Sequence, residues 1–381
     1  MSVQSEIDRI ITAVGNAYSK VLEKGGTVPA YQTVANLAAA IDSIPSVGTG
    51  GLELVANVAD GATVTATLGS KTVTGVSSGG QARLKIPQEG KWKVSATKGA
   101  QVSIPQEISV PATVDITLTT IQELNDTSWA TIRQVSDAGA GANFWSVGDC
   151  KNIVLNGTVG TTNFNNETVS VFIIGFDHNA AVEGGGRIHF QLGKKNGTPI
   201  ALADGKQGGY IYTAGAFIMN TSDVNTGGWA DCQMRQTVLG SNSASATNPN
   251  ANTLLAALPE DLRAVMKPCT KYSDNVGGED NAASAVTATS DWLFLLSEYE
   301  YFGERTYANS AEQNYQEQYA YYSAGNSKVM YWHRKTTAKA KVWCRSVAVE
   351  YGQTFCYVTN SGTTDWEDAT ADLGVSPGFC I

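Results

Sequence analysis

Trp343-Cys344-Arg345-Ser346 and Val375-Ser376-Pro377-Gly378-Phe379-Cys380-Ile381 bracket a run rich in Thr, Asp, Tyr, Asn, Ser and Gly. The brackets have the composition of packed framework. The run between them has that of exposed side chains suited to contact. Loose chain ends are normally polar, so a segment finishing on Phe379-Cys380-Ile381 is expected to be tied into a core. A polar segment held between two apolar anchors predicts a binding surface rather than a reaction centre.

A chain of 381 residues exceeds what one ordinary core encloses, so two or three domains are expected. The 39 glycines and abundant Thr, Ser and Asn favour turn-rich β structure over long helices. No apolar run approaches the roughly 18 residues that cross a bilayer, so no membrane insertion is expected. The start of the sequence lacks a basic region followed by an apolar stretch, which predicts synthesis in a cytoplasm without a signal peptide.

The net charge of −9 is unevenly placed. Residues 1–120 carry nine acids and nine bases, whereas residues 121–381 carry 26 acids against 17 bases. After Arg345 there is no Lys or Arg, while Glu350, Asp365, Glu367, Asp368 and Asp372 remain. Such a face repels phosphate backbones, so nucleic acid is excluded as the expected partner, and neutral or cationic ligands fit better.

Residues 1–46 read as a helical anchor and oligomerisation segment. Ser5, Glu6 and Asp8 open a helix whose apolar residues Ile7, Ile10, Ile11, Val14, Ala17, Tyr18, Val21 and Leu22 approach a heptad seam. Gly25-Gly26 is expected to stop it. Pro29 is expected to open a second helix with Val34, Leu37, Ala38 and Ile41 on one face. So short an isolated helix is marginal in water, so packing against other chains is expected, with a hairpin packed on its own domain as the alternative. Pro45 to Gly51 reads as a linker. Across residues 47–120, period-two runs such as Thr63-Val64-Thr65-Ala66-Thr67-Leu68 and Trp92-Lys93-Val94-Ser95-Ala96 alternate with glycine turns, as in a small immunoglobulin-like β-sandwich spacer.

Residues 121–381 mix short strands and helices, which implies an α+β domain with long loops. Strands are expected at Val169–Phe176 and Arg187–Leu192, and a buried strand at Asp291-Trp292-Leu293-Phe294-Leu295-Leu296. Helical stretches are expected within Ile121–Gly139, over Ser222–Leu239, and from Leu258-Pro259-Glu260-Asp261 through Val265.

Signals for catalysis are weak. His178, His189 and His333 are scattered, and Asp177-His178 reads as a structural hydrogen-bond pair before it reads as an acid–base pair. His189 alternates with Ile188 and Phe190, which puts it beside the core. No HExxH, GxSxG, EF-hand or Walker motif occurs. Gly184-Gly185-Gly186 precedes a strand rather than a helix and is no phosphate cradle. The segment Asp274–Asp280 reads as a solvated turn. The six cysteines include no CxxC pair and read as small buried hydrophobes, and spacing leaves open a disulfide among Cys344, Cys356 and Cys380. No catalytic residue, cofactor or required metal is assigned.

Signals for binding are stronger. Tyr299, Tyr301, Tyr307, Tyr315, Tyr319, Tyr321, Tyr322 and Tyr331, with Trp332, crowd one stretch, and about half are expected to pack the domain's own loops. Tyr351, Tyr357 and Trp366 lie among polar residues and are expected to be exposed, where they would stack on sugar faces or fill pockets on a protein partner.

Trp343, Arg345, Ser346, Phe355-Cys356-Tyr357-Val358, Gly374-Val375 and Pro377-Gly378-Phe379-Cys380-Ile381 together resemble the framework of variable proteins diversified by retroelements. These are phage and bacterial proteins with a C-type-lectin-like fold. Cys344 and Val347 stand where that pattern has Leu and Pro. Trp292-Leu293-Phe294-Leu295-Leu296-Ser297 and Phe144-Trp145-Ser146-Val147-Gly148-Asp149 resemble blocks of related domains, so the likeness spans most of residues 121–381.

The resemblance implies a C-type-lectin-like ligand-binding domain over residues 121–381, with a variable region about 343–381. Its ligand-binding face would comprise Val349, Glu350, Tyr351, Thr354, Tyr357, Thr359, Thr363, Asp365, Trp366, Glu367, Asp368 and Thr370. In such systems template adenines are altered, and altered AAC codons still end in C. Val349, Tyr351, Thr354, Tyr357, Thr359, Thr363, Asp365, Asp368 and Thr370 satisfy that rule, whereas Glu350, Gln353, Trp366 and Glu367 need other codons or are fixed. The sugar-binding motifs of calcium-dependent lectins are absent, so no required metal is expected. The implied role is a receptor-binding or adhesion protein of a phage tail, contacting a host cell-surface protein or glycan. Its N-terminus would meet tail or baseplate proteins, and trimerisation of the N-terminal helices would add avidity. The alternatives are a bacterial surface adhesin of the same fold and a glycan-cleaving tail enzyme.

Overall fold

The computed structural model describes residues 3–23, 27–43, 52–99, 101–160, 162–203 and 217–381. The expected helix stop at Gly25-Gly26 and the expected linker from Pro45 to Gly51 lie outside the described residues. The protein is a mixed α+β structure with several sheets. It divides into two compact units, Met1–Thr119 and Thr120–Ile381.

In the first unit, helix α1 (Val3–Glu23) buries only Tyr18 and Val21, which pack with Ala40, Val14, Val28 and Leu37. The Tyr18 hydroxyl also donates to the Thr33 carbonyl at 2.7 Å. Helix α2 (Val34–Asp42) starts at a Thr33 N-cap rather than at Pro29, because the Thr33 hydroxyl accepts from the Asn36 N–H. The expected apolar face of α2 is only partly used: Val34 and Ile41 stay exposed.

Eight strands follow: β1 (Leu52–Asn57), β2 (Thr63–Leu68), β3 (Lys71–Val76), β4 (Gln81–Ile86), β5 (Gly90–Lys98), β6 (Gln101–Val102), β7 (Gln106–Val110) and β8 (Ala112–Asp115). One sheet runs β4-β1-β8, the other β3-β2-β5-β6 with β7 also on β5. Side chains alternate across a strand. That places Leu54, Val64, Leu84, Trp92 and Val94 in one shared apolar core, with charged residues such as Lys85 and Lys93 kept out of it.

The second unit opens with helix α3 (Trp129–Asp137), capped by Ser128. Its Trp129 ring packs edge-on to Phe190 and Phe379, and those two rings stack at 5.3 Å. The main sheet contains β9 (Cys150–Val159), β10 (Thr162–Phe176), β11 (Ile188–Lys195), β12 (Thr198–Ala201), β15 (Met330–Trp332) and β16 (Lys335–Ala340) in the order β16-β15-β12-β11-β10-β9. Its seventh strand, β20 (Gly378–Cys380), pairs with β11 through His189↔Cys380, Phe190↔Phe379 and Gln191↔Gly378. Ile381 and Ile188 exchange backbone hydrogen bonds beside it. The apolar closing segment is thus a core element. Two smaller sheets stand apart: β13 (Cys269–Asp274) with β14 (Val286–Asp291), and β17 (Val342–Val347), β18 (Thr354–Val358) and β19 (Thr364–Asp368) in that order.

Four expectations are corrected. Residues 292–296 are not a strand, although Leu293 to Leu296 are buried and Trp292 is half-buried; only Phe294 bridges to Gly378. Their other backbone groups are satisfied irregularly: the Leu295 carbonyl accepts from the Arg345 guanidinium and the Leu296 carbonyl from the Arg345 N–H. A buried loop survives when every such group finds a partner. The span Ser222–Leu239 holds only a short helix, Gly228–Asp231, and a π-turn, Met234–Leu239. The helix expected through Val265 is the single turn Glu260–Arg263. Asp274 is not solvated: it is fully buried, accepts from Asn309 Nδ2 and from the Val276 and Gly277 N–H groups, and holds its turn from within.

Candidate functional site

The bracketing framework is built first. All of β17 is buried. Trp343 donates from its indole to the Phe217 carbonyl at 3.1 Å, and its N–H bonds the Gly374 carbonyl at 3.0 Å. Arg345, fully buried, forms a two-pronged ion pair with Glu300 and also reaches Ser273 Oγ and the Leu295 carbonyl. Glu300 in turn accepts from Lys271, which bonds both oxygens of Glu183 and the Tyr319 hydroxyl. Burial alone would raise the Glu300 carboxyl, but Arg345 and Lys271 outweigh it and hold it well below the usual carboxylate range. Ser346 donates to Glu312, whose carboxyl is pushed up to about 7 by burial against the lowering effect of Ser346 and Arg345.

The run between the brackets forms β18, the following turn and β19, which lies at the edge of its sheet. In the register, Cys356 faces Trp366, Tyr357 faces Asp365 and Phe355 faces Glu367. Paired residues share a face of the sheet. On one face the Trp366 ring lies 4.5 Å from the Tyr351 ring. On the same face Thr364 Oγ1 donates to Glu298 Oε1 at 2.6 Å. On the other, the Tyr357 hydroxyl donates to Asp365 at 3.3 Å, and Lys341 both pairs with Glu367 at 2.7 Å and lies 4.8 Å over the Tyr357 ring. The Thr359, Ser361 and Thr363 hydroxyls join in one exposed cluster at the turn. Thr370 donates its N–H to Asp223 at 3.2 Å.

The expected face is therefore split. Glu350, Tyr351, Thr363 and Thr370 are exposed, and Val349, Thr359, Asp365, Trp366, Glu367 and Asp368 are partly so. Two assignments are corrected. Thr354 is fully buried, bonded to the Tyr351 carbonyl, and Tyr357 is 4% exposed, so neither displays its side chain freely. Both belong to the middle strand of the sheet, flanked on both sides, which polarity alone does not reveal.

Three contributors escape a reading of the terminal segment alone. The Tyr307 N–H donates to Glu298, and its phenol is raised by burial and by the charges of Asp365, Glu350 and Glu298. Glu298 is buried and accepts from the N–H groups of Thr306, Tyr307 and Ala308, so it fixes the neighbouring loop. Asp223 joins through Thr370. Tyr307 stood in the tyrosine-rich stretch, but nothing in its spacing linked it to this face. Of that stretch, Tyr301, Tyr319, Tyr321 and Tyr322 are buried, Tyr315 is exposed, and Tyr299, Tyr307 and Tyr331 lie between. Chemically, the surface offers aromatic rings, hydroxyls and a surplus of carboxylates. It suits neutral polar or cationic ligands.

The histidines lie elsewhere, in the core. The Asp177–His178 pair is not formed: Asp177 accepts from the Arg187 N–H, while His178 stacks on Tyr319 at 3.7 Å and its Nε2 makes no hydrogen bond. Burial, with Lys271 and His189 nearby, lowers His178 to about 2. His189 sits beside the core as expected, with Cys269 and Cys380 close to its ring. All six cysteines are free, so the disulfide left open by the spacing is not formed.

A family model described as Domain of unknown function (DUF6273) matches residues 213–381. That span contains the sheet of β17, β18 and β19 and the strand that closes the core. No curated protein and no solved structure matches the chain. Among the described residues, no helix is long and apolar enough to cross a membrane.

Proposed function

We propose that the chain is a receptor-binding or adhesion protein of phage type, displaying a diversified surface on a C-type-lectin-like scaffold. The observation that carries this reading is the sharp division within one segment. Residues 342–348 and 372–381 are buried, while exposed and partly exposed residues cluster between them at 349–353 and 359–371. Substitutions at exposed positions away from packed features usually change stability by within about 0.5 kcal/mol. A segment with buried ends and an open middle can therefore change its ligand without losing its fold. The return of the closing strand to the centre of the main sheet, and a separate small sheet carrying the open residues, support the lectin-like assignment. The alternating strands of residues 52–115 support a spacer of immunoglobulin-like type. The exposed apolar residues of α1 support assembly through the N-terminal segment.

The test has two arms. The full chain, fluorescently labelled, is applied to intact host bacteria before and after protease or glycosidase treatment. Saturable binding that one treatment removes identifies the ligand as protein or glycan. Absence of binding to any cell or glycan surface overturns the reading. For diversification, the neighbouring genome should carry a near-repeat of the segment encoding residues 343–381, differing at adenines and lying beside a reverse transcriptase. Without that repeat, diversification falls and only the binding role stands.

A further inference from the structure

We propose that His189, Cys269 and Cys380 are the ligands of a buried structural zinc ion, with the Glu183 carboxylate beside it. Their donor atoms lie within 4.8 Å of one another, and all three residues are fully buried. The backbone holds each in place. Cys380 pairs with His189 across β20 and β11, and its other side bridges to Lys267, two residues before Cys269 at the start of β13. Ligands on rigid strands make more precise sites than ligands on loops.

The spacing suits a tetrahedral ion. With Zn–S of about 2.3 Å and Zn–N of about 2.0–2.1 Å, neighbouring donors in such a site lie about 3.6 Å apart. Cys380 Sγ is 3.4 Å from His189 Nδ1 and 3.8 Å from Nε2. The Tyr319 hydroxyl engages Nδ1 at 3.2 Å, which leaves Nε2 as the ligand and supplies the outer hydrogen bond that orients metal-binding imidazoles. Glu183 Oε2, 2.9 Å from Cys269 Sγ, is an oxygen beside the set. The unbonded Nε2 of buried His178, 3.9 Å from the other Glu183 oxygen, is a second donor held at the same carboxylate without a hydrogen bond.

Charge selects the ion. The surrounding pairs set Glu183 and Glu300 against Lys271 and Arg345, two acids against two bases. Adding a dication to that balanced core requires two further negative charges. Two thiols supply them: two S–Zn bonds form, and two protons leave to solvent. Two thiolates and an imidazole favour zinc over magnesium or calcium. This site departs from the sequence expectation of no required metal; it is separate from the display face and does not depend on the ligand-binding reading.

The full chain is produced with zinc, dialysed against zinc-free buffer and assayed by elemental mass spectrometry. Stoichiometric zinc is expected in the wild type and in Cys344→Ser, a buried cysteine outside every candidate ligand set. It should be lost in Cys269→Ser and Cys380→Ser. Because those variants could misfold, the wild type is also refolded with Co²⁺ alone, which should produce a thiolate-to-cobalt charge-transfer band. No retained zinc and no such band, zinc retained in both cysteine variants, or a Cys269–Cys380 disulfide on intact-mass analysis overturns the proposal.

Discussion

Arg345 Nη2 donates to Glu300 Oε1 at 3.0 Å while Nη1 meets the other carboxylate oxygen, and neither side chain is exposed. This pair ties β17, which leads into the segment of residues 349–371, to the helix Glu298–Phe302 and, through Lys271, to β13. Removing one partner strands the other charge in a medium that cannot solvate it. Glu300→Gln should destabilise the second unit by about 3–5 kcal/mol. Urea unfolding followed by tryptophan fluorescence checks this, and a loss below about 1 kcal/mol, the range of a surface pair, would contradict it.

The buried Glu312 carboxyl makes a pH-dependent contribution. Its value rises from 4.5 to about 7 on folding, so the folded state holds the proton more tightly than the unfolded state. Stability from this group is full below pH 4.5 and declines as pH rises through 7, by about 3 kcal/mol in all. His178 has the opposite sense: its value falls from 6.5 to about 2, so its contribution is lost as pH falls below 6.5. Comparing Glu312→Gln with wild type therefore isolates Glu312. The variant should gain relative stability between pH 5 and pH 8 in urea titrations, and a constant difference across that range would refute the assignment.

Position within the sheet sets tolerance to substitution. Thr354→Tyr forces a ring into a fully buried site and should cost about 1–3 kcal/mol or more. Thr363→Tyr, at the exposed turn, should stay within about 0.5 kcal/mol. Thermal denaturation of both variants decides the matter, and equal losses would remove the distinction between framework and display positions.

Trp366 and Tyr351 form the aromatic pair of the open face. Such a pair contributes about 0.5–1.5 kcal/mol beyond its buried area, so Trp366→Ala should lower stability modestly. If the face recognises the ligand, the same variant should weaken cell binding at least tenfold. Unchanged binding in Trp366→Ala and Tyr351→Ala would move the ligand site elsewhere.

Helix α1 leaves Val3, Ile7, Ile10 and Ile11 at 79%, 44%, 55% and 64% exposure. With Val14, Ala17 and Val21, the residues Val3, Ile7 and Ile10 continue an alternating three- and four-residue spacing, the pattern of a helix seam. The full chain should be oligomeric in light scattering. Ile7→Lys with Ile10→Lys, or a chain beginning at Gly51, should be monomeric. A monomeric wild type would end the assembly reading.

Much of this was legible in local pattern. Alternation marked the strands of residues 52–118, because side chains of a two-layer sheet must alternate between core and water. The apolar ends marked Trp343 and Phe379 as core. The run Asp291–Leu296 misled, because apolar continuity reports burial and not conformation; Arg345 satisfies the Leu295 and Leu296 carbonyls and the Gly378 N–H that of Phe294, without a continuous strand. Thr354 and Tyr357 misled for the converse reason, since a polar residue in a central strand can be covered from both sides.

The sequence alone determined the alternating strands of residues 52–118 and the two apolar anchors, since both follow from periodicity and from apolar residues leaving water. Which polar residues are buried, and which distant ones meet, was set by the packing of sheets and loops. His189 and Cys380 touch across 191 positions, and Arg345 reaches Glu300 across 45. Such contacts depend on how sheets and loops close on one another, and no local spacing encodes them.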